Sequence, residues 1–169
     1  IREVERSRGL GDVYKRQDYD FGIAFYKAEL AAGNPLPLEG TVFISVRDED
    51  KPDMVEVARM LASVGLRLVA TSGTARFLKR HGMEVEQLRK VSEGYPNVVD
   101  LMRQGKVQLV INTPTSKLSV KDGYEMRRAA VDMDIPYVTT IQAARAAARA
   151  IAAVKQGRDS VKPITEYHG

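Results

Sequence analysis

The sequence predicts an α/β fold, a three-layer sandwich with a parallel sheet covered by helices on both faces. Three observations carry this. Short β-branched runs recur at Thr41–Val46, Leu66–Thr71 and Gln108–Asn112. Segments with apolar residues at helical spacing separate them, and a glycine follows most of those segments (Gly65, Gly82, Gly105, Gly157). Such alternation implies right-handed crossovers and therefore parallel strands.

In chain order, residues 1–17, IREVERSRGLGDVYKRQ, lack a sustained apolar period and are expected to form a non-native or disordered tail. SRGLGDVYKRQ resembles a translated adapter sequence, and a solvated linker is the alternative. Residues 18–39 read as a connecting helix and linker: Phe21, Ala24, Phe25, Ala28 and Ala31 share a helical face, Gly33 stops it, and NPLPLEG follows. The main domain is expected over 40–169. Thr41–Val46 is a buried strand. Lys51–Val64 is a helix with Met54, Val57, Ala58 and Leu61 on one face, ended by Gly65. Leu66–Thr71 is a second strand and Gly73–His81 a short helix. A short strand follows near Gln87–Val91, then a helix over Asn97–Gln104, the strand Gln108–Asn112 and a helix over Lys121–Asp132. Pro136–Thr139 is the last strand, and Thr140–Lys155 an alanine-rich helix ending at Gly157.

Composition excludes several classes of function. There is no cysteine, so no disulfide framework, thiolate metal site or cysteine nucleophile; this fits a reducing, cytoplasmic setting. His81 and His168 are too few and too far apart for a zinc site, and no metal is expected. No apolar run is long enough to span a bilayer, so no membrane partner is expected. The net charge is +4, but the first seventeen residues supply half of it, with five basic and three acidic side chains. The body is too weakly basic for a nucleic-acid partner.

In an open parallel sheet, ligands bind beyond the carboxyl ends of the strands. Those ends hold Ser45 through Lys51, then Thr71-Ser72-Gly73-Thr74, then Asn112-Thr113-Pro114-Thr115-Ser116-Lys117, with Lys90 near the short third strand. Hydroxyls, an amide, a glycine at a helix start and lysines are what a phosphate requires. Each piece also has a plainer reading. Ser and Thr are ordinary helix caps, lone lysines are usually solvated, and Asn112 would terminate a strand. Asp48, Glu49 and Asp50 read as a solvated turn rather than a magnesium site. Neither a P-loop nor a dinucleotide-binding glycine pattern occurs, and no catalytic triad assembles. Arg145 and Arg149 are expected on an exposed face, and Tyr124 and Tyr137 in packing roles.

The same loops carry a resemblance. TVFISVRDEDK, LVATSGTARFL, KVSEGYPNVVDLM, QLVINTPTS and PYVTTIQAARAAARAI resemble successive blocks of the methylglyoxal-synthase-like domain, in the version that ends the carbamoyl phosphate synthetase large subunit. DFGIAFYKAELAAG is similar to the helix that connects the preceding ATP-binding half to this domain, and VKPITEYH to its closing segment. The resemblance implies a five-stranded parallel sheet ordered 3-2-1-4-5 and a regulatory role. Such a domain binds a nucleoside monophosphate, uridine monophosphate as inhibitor and in some enzymes inosine monophosphate as activator, and controls ATP- and glutamine-dependent carbamoyl phosphate synthesis. The effector-binding pattern carries onto Ser45, Lys51, Thr71, Thr74, Lys90, Asn112 and Thr113. The next position, often a second threonine in the family, is Pro114 here, followed by Thr115. The resemblance implies no cofactor in this domain, ATP and magnesium elsewhere in the parent ligase, and as partners the rest of the large subunit and the glutaminase small subunit. A face freed from that subunit would favour self-association.

Methylglyoxal synthase itself is the enzyme alternative, a lyase acting on dihydroxyacetone phosphate. Its catalytic aspartate in a Gly-Gly-Asp-Gln-Gln loop is replaced here by Tyr95 within EGYPN. Its His-Asp-Pro-Asp stretch becomes Val120-Lys121-Asp122-Gly123, and a histidine before the first-helix lysine becomes Arg47. These substitutions favour effector binding over acid–base chemistry. A structural domain without a ligand is the third reading.

Overall fold

The structure, a computed structural model, describes residues 2–114 and 119–168, with side chains described for 13–114 and 120–157. Helix α1 (Arg2–Ala31) precedes β1 (Thr41–Ser45), α2 (Lys51–Ser63), β2 (Arg67–Thr71) and α3 (Ser72–Arg80). Then come β3 (Glu86–Leu88), α4 (Val98–Arg103), β4 (Leu109–Asn112), α5 (Ser119–Asp132), β5 (Tyr137–Val138) and α6 (Ile141–His168). The strands form one parallel sheet ordered β3-β2-β1-β4-β5. That is the architecture and strand order expected from the sequence.

The period of two along a strand sorts the core into two layers. Val42 and Ile44 of β1, with their register partners Leu109 and Ile111 of β4, face α2, α3 and α6. Phe43 and its partner Val110 face the opposite side, against Val98 and Met102 of α4 and Met126 of α5. Both faces of the central strands are therefore dry, which is why they read as continuous apolar runs. On α2, Met54, Val57, Ala58 and Leu61 are fully buried, the i, i+3, i+4, i+7 stripe of a helix lying on a sheet. Pro52 stands in its first turn, where a missing N–H costs nothing. Gly65, at φ 93°, reverses the chain, and its N–H reaches the Ala62 carbonyl. Asn97 caps α4: its Oδ1 accepts the Val99 N–H at 2.9 Å, while Asp100 Oδ2 accepts the Asn97 N–H at 2.9 Å.

The terminal helices depart from expectation. The predicted break near residue 17 is absent, and α1 runs unbroken from Arg2 to Ala31. Residues 13–18 are exposed along it. Farther along, α1 packs on α6. A Cβ at Gly22 would stand 2.9 Å from Ala153 Cβ and 3.1 Å from the Arg149 carbonyl oxygen, so the two backbones meet closely there. The other departure is Gly157, expected to stop the last helix; α6 instead continues through it to His168. The Tyr19 hydroxyl occupies the place a Cβ at Gly157 would take, so this glycine accommodates α1. Tyr124, expected to pack, is exposed on α5, and Arg145 is partly buried beside Glu56 of α2.

Candidate functional site

A cleft of about 680 Å³ opens at the carboxyl ends of the central strands. All seven predicted residues line it: Ser45, Lys51, Thr71, Thr74, Lys90, Asn112 and Thr113. They are adjacent because β2, β1 and β4 are neighbours in register. Ser45 ends β1 and pairs with Asn112 at the end of β4, while Thr71 ends β2. Of the β4–α5 loop, Thr113 is buried and Pro114 exposed, whereas Thr115, Ser116 and Lys117 lie outside the described residues.

The hydroxyls are held in set orientations. Thr74 Oγ1 accepts the Val46 N–H at 3.2 Å, and Thr113 Oγ1 accepts the Arg47 N–H at 2.9 Å. Thr71 Oγ1 lies 3.1 Å from Ser45 Oγ. Each threonine is buried. A hydroxyl whose oxygen already accepts from a fixed backbone N–H has its own proton to donate, so Thr74 and Thr113 are oriented donors. Thr71 is also the N-cap of α3, yet its side chain makes no cap bond, leaving the first-turn N–H groups of α3 without a side-chain acceptor. Those groups and the helix dipole favour an anion at this end of the cleft.

The two predicted lysines differ. Lys51 opens α2, and only 17% of its side chain is exposed. A Cβ on Gly73 would stand 3.2 Å from Lys51 Nζ, so the glycine in the α3 first turn leaves room for the ammonium. Lys51 is paired with Asp48, whose carboxylate is held below its usual pKa by that hydrogen bond and by the lysine's charge. Lys90 is exposed at the rim, where Glu93 Oε2 accepts its backbone N–H at 3.3 Å. Asn112 donates from Nδ2 to the Tyr137 hydroxyl at 2.8 Å. Burial raises the Tyr137 pKa, against the opposing effects of that bond and of Arg127, whose guanidinium lies 5.4 Å from the ring centre.

The cleft also contains residues the sequence reading did not assign. Asp122, nine-tenths buried in the first turn of α5, lines it and accepts the Ser92 hydroxyl at 3.0 Å. A rule that looks only after strands misses both, since Ser92 sits in the 3-10 turn Val91–Glu93 and Asp122 inside a helix. The available signal was Gly123, a glycine in the first half of a helix; a Cβ there would stand 3.6 Å from Asn112 Nδ2. Tyr95, by contrast, is 70% exposed on the loop beyond Glu93.

A parallel sheet in this strand order, with buried hydroxyls and a half-buried lysine gathered at its central carboxyl ends, defines the methylglyoxal-synthase-like class of domain. A sequence profile of the MGS-like domain matches residues 53–139, and the chain belongs to that family. It is similar to the carbamoyl phosphate synthase large chain of Methanosarcina mazei, 59% identical over 152 residues, which are 89% of this chain and 14% of that one. It is also 55% identical over 152 residues to the "Carbamoyl phosphate synthase large chain, C-terminal section" of Methanopyrus kandleri, covering 89% of this chain and 28% of that one. The chain thus spans only a small part of these relatives. Its backbone is similar to the crystal structure of methylglyoxal synthase from Elizabethkingia anophelis, with a TM-score of 0.51 and 21% identity over 64% of this chain and 76% of that one, a likeness of fold alone.

Proposed function

We propose that this domain is the effector-binding part of a carbamoyl phosphate synthase large chain and that the cleft holds a nucleoside monophosphate, with uridine monophosphate as the inhibitor and inosine monophosphate as a possible activator in the same place. One observation carries the reading: Lys51, the buried hydroxyls of Thr71 and Thr74 and the uncapped first turn of α3 lie together where α3 begins in the cleft. Thr71, Thr74 and Lys51 hold the phosphate, with Lys90 approaching from the rim. Asp122 and Ser45 face the ribose. A buried carboxylate can only accept hydrogen bonds, so Asp122 suits the sugar hydroxyls and repels the phosphate. Asn112, its amide nitrogen turned to Tyr137, and Thr113 complete that side. Carbamoyl phosphate synthesis, with its ATP, magnesium and glutamine, belongs to the rest of the large subunit and to a glutaminase small subunit. Exposed Val120, Tyr124 and Val131 on α5 offer apolar surface for those partners or for self-association.

The buried Asp122 carboxylate is the one observation that favours a lyase acting on dihydroxyacetone phosphate. Proton transfer in such a reaction needs a second proton carrier placed on the substrate. Tyr95 is directed to solvent, and His81 binds the Phe77 carbonyl at 2.9 Å at the far end of α3. Calorimetric titration with uridine monophosphate and with inorganic phosphate tests the proposal. Saturable binding of the nucleotide, at least tenfold tighter than phosphate, is expected. Equal affinities, or turnover of dihydroxyacetone phosphate, would refute it.

A further inference from the structure

The charges at the phosphate end of the cleft carry an inference that rests on the proposed anion site and goes beyond it. Lys51 Nζ hangs against the first turn of α3, so a cation and the positive end of a helix dipole point at one spot. That arrangement is unfavourable unless an anion joins it. The anion that does so is Asp48, from the 3-10 turn Asp48–Asp50 between β1 and α2. Asp48 is otherwise unsupported: its side chain is 90% exposed, and among the described residues its one partner is Lys51. The neighbouring Asp50 is engaged differently, accepting from Arg47 Nε at 2.7 Å.

We propose that Asp48 is an internal competitor for the effector's phosphate, a specificity-determining residue that occupies Lys51 and must yield or share it when a phosphate enters. The carboxylate is a monoanion on a solvated turn. A phosphate dianion outbids it because it gains Lys51, the Thr74 hydroxyl and the α3 N–H groups together. A carboxylate or other single charge does not, so Asp48 filters ligands by charge. It also holds affinity down, which keeps an effector site responsive near the ligand's working concentration.

The test uses the full chain and its Asp48→Asn, Lys51→Met and double variants, with Asp53→Asn as an equal change of charge on the same helix start. Each is titrated calorimetrically with uridine monophosphate, inorganic phosphate and acetate at fixed ionic strength. Asp48→Asn is expected to tighten phosphate and nucleotide by about two- to fivefold, the range of an exposed ion pair, and to narrow the gap between phosphate and acetate. Asp53→Asn should change affinities less, and Asp48→Asn on the Lys51→Met background should change nothing. Nucleotide binding that is equal in Asp48→Asn and the parent overturns the inference and leaves the proposed function standing. Lys51-dependent tightening of inorganic phosphate, with the nucleotide bound no better than phosphate, supports the inference and refutes the nucleotide reading. Failure of every variant to bind any phosphate overturns both. Without ligand, the Asp48 carboxyl resonance followed against pH should titrate below its usual range in the parent and return to it in Lys51→Met; identical curves would also overturn the inference.

Discussion

Replacing Lys51 by methionine keeps the stem of the side chain and removes its charge, which separates the two lysines of the cleft. Lys51 is largely screened from water and lies against the α3 first turn, so its contact with phosphate is a charge-assisted hydrogen bond in a partly dehydrated place. Such a bond contributes about 1.5–3 kcal/mol, which corresponds to a rise in Kd of about ten- to a hundredfold. Lys90 is exposed at the rim, and an exposed ion pair contributes about 0.2–1 kcal/mol. Lys90→Ala should therefore weaken uridine monophosphate by less than about fivefold. Lys121→Ala, exposed on α5 outside the cleft lining, should leave affinity unchanged. Calorimetric titration of the three variants gives the order directly. If Lys90→Ala costs as much as Lys51→Met, or Lys51→Met binds like the parent chain, the phosphate does not sit at the α3 N-terminus and the geometric argument fails.

Other variants probe the remaining parts of the structure. Asp122→Ala should weaken uridine monophosphate about tenfold, the worth of one hydrogen bond to a charged group, while binding inorganic phosphate no more weakly than the parent; parallel losses would place Asp122 outside the ribose subsite. Thr74→Val strands the buried Val46 N–H, so it should lower stability by about 1–3 kcal/mol, or a few degrees in Tm, as well as weakening phosphate; an unchanged melting curve would mean that N–H finds another acceptor. Gly22→Leu drives a side chain into Ala153 and the Arg149 carbonyl, and should cost about 1–3 kcal/mol by denaturant unfolding. Deleting residues 1–12 should leave Tm nearly unchanged, since the following residues 13–18 are already exposed on α1; a large drop would show that the start of that helix supports the fold.

How much of this was legible in the sequence follows from the range of each interaction. The β-branched run of Thr41–Val46 and the 3.6-residue period of Met54–Leu61 are local signals, and they placed the strand, the helix and the face that helix buries. The strand-end rule pointed to the loops holding Ser45 to Lys51, Thr71 to Thr74 and Asn112 onward, and the family resemblance supplied the strand order and selected the seven residues, Lys90 included. Local pattern also misled. Gly157 was read as a stop because the partner that explains it, Tyr19, lies on another helix. Asp122 meets Ser92 across thirty residues of sequence, Lys51 meets the α3 first turn through the gap at Gly73, and Asn112 turns its amide to Tyr137. None of these leaves a periodic trace. Which donors point into the cleft, which lysine is shielded from water and which carboxylate competes for it depend on packing between distant elements, and the tertiary structure alone decides them.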